Sequence, residues 1–136
     1  MKKVNYENNW KSKSLESLEK DVWRTPEQDN RLEMICYQLR KKPVGTFEIE
    51  DLRIMIGQSI GLQFLIPLAI EKLKTNVLTE GDFYPGDLLS SVLTSDPGFW
   101  IDHPGFHQEV VELAERNWDL IPKKLREEME SFHKNR

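Results

Sequence analysis

Residues 51–89 read DLRIMIGQSIGLQFLIPLAIEKLKTNVLTEGDFYPGDLL and form the most apolar stretch of the chain. Apolar side chains recur there at the three-to-four spacing of buried helix faces. The stretch ends in a short run of glycine, proline and acidic residues, which is typical of a tight turn. The pattern predicts helices that supply the core, followed by an acidic turn, with the rest of the chain packed around them.

The length of 136 residues fits one compact domain with a real core and is short for two. The longest apolar run, residues 60–70, is interrupted by Gln63 and Pro67, and the lysines near the N-terminus precede no apolar stretch. Neither a membrane span nor a secretory signal is therefore expected. The single cysteine, Cys36, lies in a helical apolar pattern and is expected to be a small buried hydrophobe. These features predict a cytoplasmic protein.

Two helices are predicted before residue 43. Ser14 can cap the first, SLESLEKDVW, which would bury Leu15, Leu18 and Val22. The second is expected to start at residues 25–28, TPEQ, because a threonine cap, a proline and a glutamine three residues after the cap match a helix start. It would end in a basic run before the next proline. The side chains expected on its buried face are Leu32, Ile35, Cys36 and Leu39.

The predicted third helix opens with the acidic residues Glu48, Glu50 and Asp51, which would cap it and complement the amide dipoles of its first turn. Pro67 would break a helix that continued straight through the apolar run. A fourth helix is therefore expected to begin with Pro67 in its first turn. Residues 60–66, IGLQFLI, alternate imperfectly, which leaves a short strand as the alternative there.

Three further helices are predicted toward the C-terminus. One follows Pro85 and reads GDLLSSVL, one begins at residues 102–105, and the last begins at Pro122. Phe99 and Trp100 are expected to close one end of the core.

Together these patterns predict an all-α fold, a compact single-domain bundle of about six to eight short helices. The domain is expected to cover residues 1–136. Residues 1–13 and 133–136 are expected to be loosely held at its ends, with Tyr6 and Trp10 as the anchors of the N-terminal arm.

The net charge of −4 is unevenly distributed along the chain. Residues 1–42 carry +3, residues 43–115 carry −9 and residues 116–136 carry +2. The acidic middle argues against direct binding of nucleic acid, because phosphate binding requires clustered positive charge. It favours a basic protein partner, whose approach the electric field would steer. The alternative is that these carboxylates only form solvated helix faces.

His103, His107 and Glu109 are candidates for a metal site, because two histidines four residues apart on a helix can present both imidazoles on one face. Pro104 and Gly105 lie between the histidines and place His103 before the helix instead of on it. The favoured interpretation is a capping His103 and a surface His107, with no metal.

Asp82 and Asp87, with Glu80 nearby, could form a carboxylate pair for acid–base chemistry. Aspartates beside Tyr-Pro-Gly are more simply turn and cap residues, because short carboxylates accept free backbone amides there. The sequence contains neither a nucleophile elbow nor a glycine-rich phosphate loop. It therefore predicts no enzyme and no cofactor.

The remaining candidate function is a surface for a protein partner. A tryptophan left partly exposed beside acidic side chains would make an interface anchor, and residues 80–102 combine both features. The candidate partner-binding residues are Glu80, Asp82, Tyr84, Asp87, Asp96, Trp100 and Asp102.

Three pieces of residues 39–93 together carry a resemblance to a known protein family. They read DLRIMIGQ at 51–58, GL at 61–62 followed by PLA at 67–69, and GDFYPGDLL at 81–89. In this combination and order the chain resembles the contact-dependent growth inhibition (CDI) immunity proteins of Gram-negative bacteria. The sequence departs from the resemblance at both ends.

The resemblance implies a small cytoplasmic protein encoded beside a large secreted toxin, whose C-terminal domain enters neighbouring cells, often as a nuclease. The immunity protein would bind its own toxin domain tightly and block it, so the implied partner is the cognate toxin C-terminal domain, a basic nuclease. Two other classes stay open: a regulatory adaptor that binds a cellular protein, and a small hydrolase that uses Asp82, Asp87 and His103.

Overall fold

The structure, a computed structural model, describes residue 6, residues 8–27 and residues 29–134. Within these residues the chain forms eight α-helices and no strand, so the predicted all-α fold is confirmed. Three short 3₁₀ turns, at Trp10–Ser12, Val44–Thr46 and Trp118–Leu120, join or precede the helices. The helices are α1 (Leu15–Glu19), α2 (Arg31–Leu39), α3 (Ile49–Gly57), α4 (Leu62–Thr75), α5 (Asp87–Leu93), α6 (Pro97–Asp102), α7 (Pro104–Arg116) and α8 (Lys123–His133).

Helix α5 lies at the centre of the bundle, and all seven of its residues are buried. Helices α3, α4 and α8 pack against it. Helix α4 adds eight buried residues to the same core. Because burial of one large aliphatic side chain stabilises a fold by about 1.5–3 kcal/mol, α4 and α5 dominate the core, as the apolar pattern of residues 51–89 predicts.

Helix α1 starts where the sequence predicts, whereas α2 does not. The Ser14 hydroxyl accepts the backbone N–H of Ser17 at 3.2 Å and so caps α1. Helix α2 begins at Arg31 and not at residue 25, because the Asn30 side chain accepts the backbone N–H of Glu33 at 3.0 Å and supplies the cap.

The predicted burial of Val22 and Leu32 is wrong. Val22 is 72% exposed, since α1 ends early and Lys20 takes a left-handed conformation with φ of 53° that turns the chain away. Leu32 is 43% exposed, while Cys36 on the same helix is buried as predicted. Gln28, the last residue of the expected TPEQ start, lies outside the described residues.

Pro67 lies inside α4 and not in its first turn, so both that prediction and the strand alternative for residues 60–66 are wrong. A proline lacks the N–H that would bond the carbonyl four residues earlier, which here belongs to Gln63. The Tyr6 hydroxyl donates to this carbonyl at 2.7 Å. The helix continues because a side chain from the N-terminal arm takes the place of the missing backbone donor.

The N-terminal arm is anchored by the two predicted aromatic residues. The rings of Tyr6 and Trp10 each lie 6.0 Å from the ring of Phe64 on α4. Of the ends expected to be loosely held, residues 1–5, 7, 135 and 136 lie outside the described residues. The extent of one domain over residues 1–136 stays a prediction.

The predicted starts near the C-terminus agree with the structure. Helix α5 follows Pro85, α7 begins at Pro104, and Pro122 occupies the N-cap position of α8. Phe99 and Trp100 on α6 are buried, as expected for a pair that closes one end of the core. Across the described residues, no helix has both the length and the apolar character to cross a membrane.

Candidate partner-binding site

The acidic residues of the 80–102 region form two separate groups, one at each end of the α3–α5 helix pair. At one end the backbone N–H of Asp82 donates to Glu50 Oε1 at 2.9 Å. At the other end the backbone N–H of Asp96 donates to the Ser59 hydroxyl at 3.0 Å. Helix α3 has nine residues and separates these contacts by roughly 13 Å, at 1.5 Å per residue.

Residues 80–86, named here the acidic turn, are held in shape by the buried side chain of Asp87. Its carboxylate accepts the backbone N–H groups of Gly81 at 2.6 Å and Phe83 at 3.0 Å, and that of Tyr84 lies at 3.4 Å. Asp87 is only 3% exposed. It therefore acts from inside the turn, as the turn-and-cap interpretation of its sequence predicts, and presents no carboxylate oxygen for contact with a partner.

The ion pair between Arg53 and Glu50 on α3 supports the acidic turn. Arg53 Nε donates to Glu50 Oε1 at 2.6 Å, and the same nitrogen lies 3.9 Å from an Asp87 carboxylate oxygen. The hydrogen bond from Arg53 lowers the pKa of Glu50, and the backbone N–H of Asp82 acts in the same direction. Glu50 thus stays ionised and keeps its bond to the turn.

The side chains that the acidic turn offers to solvent are Glu80, Asp82, Phe83 and Pro85, which are all exposed. Phe83 is the most exposed aromatic residue among those described, at 68%. Tyr84 is partly buried, and its hydroxyl accepts a hydrogen bond from Lys124 Nζ at 3.2 Å. This contact ties the turn to α8.

The second acidic group lies around α6. Asp96 caps this helix by accepting the backbone N–H of Gly98 at 3.0 Å, and it remains exposed. Asp96, Asp102 and Glu19 line one open cleft of about 440 Å³. Acidic residues from two distant parts of the sequence, α1 and α6, therefore line the same cleft.

Trp100 is fully buried and forms part of the core beneath this cleft. Its indole N–H donates to the Ser95 hydroxyl at 2.8 Å, and its ring packs edge-on against Phe132 at 4.8 Å. The tryptophan therefore holds α6 against α8 instead of presenting an aromatic surface to a partner.

The two histidines weighed as metal ligands have separate structural roles. His103 Nδ1 lies 2.7 Å from the Phe99 carbonyl, and its ring stacks on that of Phe99. His107 is buried, with Nε2 2.8 Å from the Phe132 carbonyl, so its predicted surface position is wrong. No group of three histidine, cysteine, aspartate or glutamate residues in the described part of the chain could hold a metal ion.

The sequence patterns did not predict two features of the surface. The first is Phe83, whose neighbours in a glycine- and proline-containing turn could have indicated exposure. The second is a groove of about 1070 Å³ between residues 23–31 and α2, lined by Trp23, Leu32 and Tyr37 among others. The groove forms because α2 begins at Arg31, so that the described residues before it are non-helical and line one side.

Comparison with protein-family models identifies the family of the chain. The model of the family described as CDI immunity proteins matches residues 17–110, which is more than half of the chain. The chain belongs to this family. In this CDI immunity protein the match includes both acidic groups, while the Tyr6 anchor and α8 lie outside it. Comparison with curated proteins and with solved structures gives no match.

Proposed function

We propose that this CDI immunity protein binds and neutralises the C-terminal domain of its cognate CDI toxin, and that this domain is a basic nuclease. The observation that carries the proposal is membership of the CDI immunity proteins across residues 17–110. The nuclease part rests on charge, because residues 43–115 carry −9 and a nuclease needs a positive surface to hold phosphates. The site of action proposed is the cytoplasm of the cell that makes the protein.

The seven candidate residues divide into two roles in this proposal. Asp87 and Trp100 support the surface from inside, since both are buried. The other five would face the toxin, with the carboxylates close to lysine and arginine side chains that otherwise bind substrate phosphates. These contact residues are Glu80, Asp82, Tyr84, Asp96 and Asp102.

Two separated acidic groups suit a partner that has an elongated positive groove. The contacts of α3 place the groups roughly 13 Å apart, which is about the reach of three or four nucleotides at 3.4 Å per step. Binding at both ends would cover the groove between them and exclude the substrate. Electrostatic steering would also make association fast and dependent on salt.

The first test is co-expression with the toxin domain that the neighbouring large exoprotein gene encodes. The expected result is restored growth and co-purification of the two chains at equal stoichiometry. A toxic domain that still kills the cells and does not co-purify with this protein would overturn the proposal. A neighbourhood that contains only metabolic genes would instead favour the adaptor class.

The second test replaces the exposed carboxylates. Glu80→Lys and Asp82→Lys change the acidic turn, while Asp96→Asn and Asp102→Lys change the α6 group and keep an oxygen for the α6 cap. The fourfold variant is expected to bind the toxin domain at least about tenfold more weakly, mainly through a slower association rate.

A double variant with charge reversals of the same kind, Glu127→Lys with Glu130→Lys on the exposed face of α8, is the control; it changes the net charge by +4, compared with +7 for the fourfold variant. It should bind like the wild type. Unchanged affinity of the fourfold variant, or an equal loss in the control, would show that these two acidic groups do not form the toxin-binding surface.

A further inference from the structure

Phe83 has an exposure that the fold does not explain. It is 68% exposed at the tip of the acidic turn, although its neighbour in sequence, Tyr84, packs against Lys124 on α8. A large aromatic side chain in water is a common anchor of protein–protein interfaces, where it is buried on binding.

The backbone that carries Phe83 is fixed before any partner arrives. Its own N–H donates to the Asp87 carboxylate at 3.0 Å, and the preceding N–H of Asp82 donates to Glu50 at 2.9 Å. Glu80 and Pro85 form an antiparallel bridge across the base of the turn. Binding therefore requires little further ordering of the backbone, which removes one of the main costs of association.

The orientation of the Phe83 ring is also restricted. The guanidinium carbon of Arg53 lies 4.3 Å from the ring centroid and covers one face. Arg53 is itself held by its ion pair with Glu50. The opposite face and the outer edge of the ring are left for a partner.

The charged side chains near Phe83 indicate which kind of partner surface this ring fits. Arg53 is balanced by Glu50 and lies close to Asp87, while Glu80 and Asp82 are exposed, with no lysine or arginine nitrogen of the described chain within 4.0 Å. An exposed aromatic ring in the same short turn as two exposed carboxylates is complementary to an apolar pocket with a basic rim.

We infer that Phe83 is the apolar anchor of the toxin interface and inserts into a pocket of the toxin domain that is bordered by lysine or arginine side chains. This inference rests on the proposed function and names the residue that would hold the complex together. In it the carboxylates bring the partner to the turn, and burial of the ring slows its departure.

The test measures binding of the purified toxin domain to the wild type and to Phe83→Ala by surface plasmon resonance. The alanine variant is expected to bind about 30-fold more weakly, with the loss in the dissociation rate. Phe83→Leu should retain part of the affinity, because it keeps an apolar side chain. Thermal unfolding of both variants should match the wild type, since the ring lies outside the core.

Leu32→Ala is the control, because Leu32 is an exposed apolar residue that lines the groove beside Gln58 and Ile60, past the C-terminal end of α3. It should bind like the wild type. Equal binding of Phe83→Ala, a loss confined to the association rate, or an equal loss in Leu32→Ala would overturn the anchor and leave the proposed function intact. Absence of wild-type binding would overturn both.

Discussion

The described residues of the 21–30 segment, which are 21–27, 29 and 30, and those of the acidic turn are non-helical. Each segment is held against the helices by a buried side chain, but the two side chains carry opposite charges. Arg40 is 2% exposed and donates to the Glu19 carboxylate and the Asp21 carbonyl. Asp87 is 3% exposed and accepts backbone N–H groups of the acidic turn. An arginine must reach oxygens, whereas a carboxylate can collect several amides of one short turn.

The difference lies in how much of each segment is fixed. Asp87 bonds residues spread through the acidic turn, whereas Arg40 bonds only the first residue of the 21–30 segment. Both segments also stack an aromatic ring on an arginine, with Arg40 over Trp23 and Arg53 over Phe83 at 4.3 Å each. The acidic turn is therefore rigid at its backbone, while the described residues after Asp21 in the 21–30 segment depend mostly on side-chain contacts.

Asp87→Ala should have the largest effect. It leaves the amides of Gly81 and Phe83 without their acceptor, and it removes a charge beside Arg53. The expected loss is about 3 kcal/mol in the free energy of unfolding, measured by urea denaturation. Asp87→Asn keeps one oxygen acceptor and should lose less. A loss below about 1 kcal/mol for the alanine variant would mean that the turn does not depend on this carboxylate.

Arg40→Met should cost less, about 1–2 kcal/mol, because methionine fills the space without leaving a buried charge and the partner Glu19 can reach water. The effect should be local. Faster tryptic cleavage after Arg24 is expected, because Trp23 loses the cation that it packs against. Cleavage at an unchanged rate would show that the 21–30 segment is held by other contacts, such as the Thr25–Tyr37 hydrogen bond at 3.0 Å.

The smallest effect concerns pH and the Glu50–Arg53 pair. The hydrogen bond from Arg53 lowers the pKa of Glu50 in the folded state. The ionised Glu50 therefore contributes its full stabilisation of the fold above pH 4.5, the ordinary pKa of a glutamate. This stabilisation is lost as the pH falls through the lower pKa that Glu50 has in the folded state. The stability advantage of the wild type over Glu50→Gln should therefore shrink below pH 4.5. Denaturation series at pH 3 to 7 measure this; a constant difference would contradict it.

The helices whose ends carry strong local chemistry could be predicted from sequence. Ser14 and Pro104 lie at or beside helix starts as their residue types suggest, because capping depends on neighbours within three positions. The apparent start at residue 25 failed for the same reason: Asn30 provides a competing cap five residues later.

The features that could not be predicted depend on residues far apart in sequence. The Tyr6 hydroxyl donates to the Gln63 carbonyl from 57 positions away in the sequence. Because this donor is so distant, the residues around Pro67 do not indicate that the helix continues through the proline. In the candidate site, acidic residue type alone selected the region of residues 80–102. It could not separate the exposed Asp82 from the buried Asp87, since every residue of α5 is buried and no apolar period marks one face.

The hydrogen bonds that shape the acidic turn have an engineering consequence. They use the backbone N–H groups of Gly81, Asp82 and Phe83, with acceptors on Glu50 and Asp87. Neither of the side chains at positions 82 and 83 takes part in them, so these two sites can be varied to any residue except proline, which lacks the N–H, in a display library on an unchanged backbone. Keeping Glu50, Gly81 and Asp87 constant would turn the protein into a small scaffold for selecting inhibitors of other toxin domains.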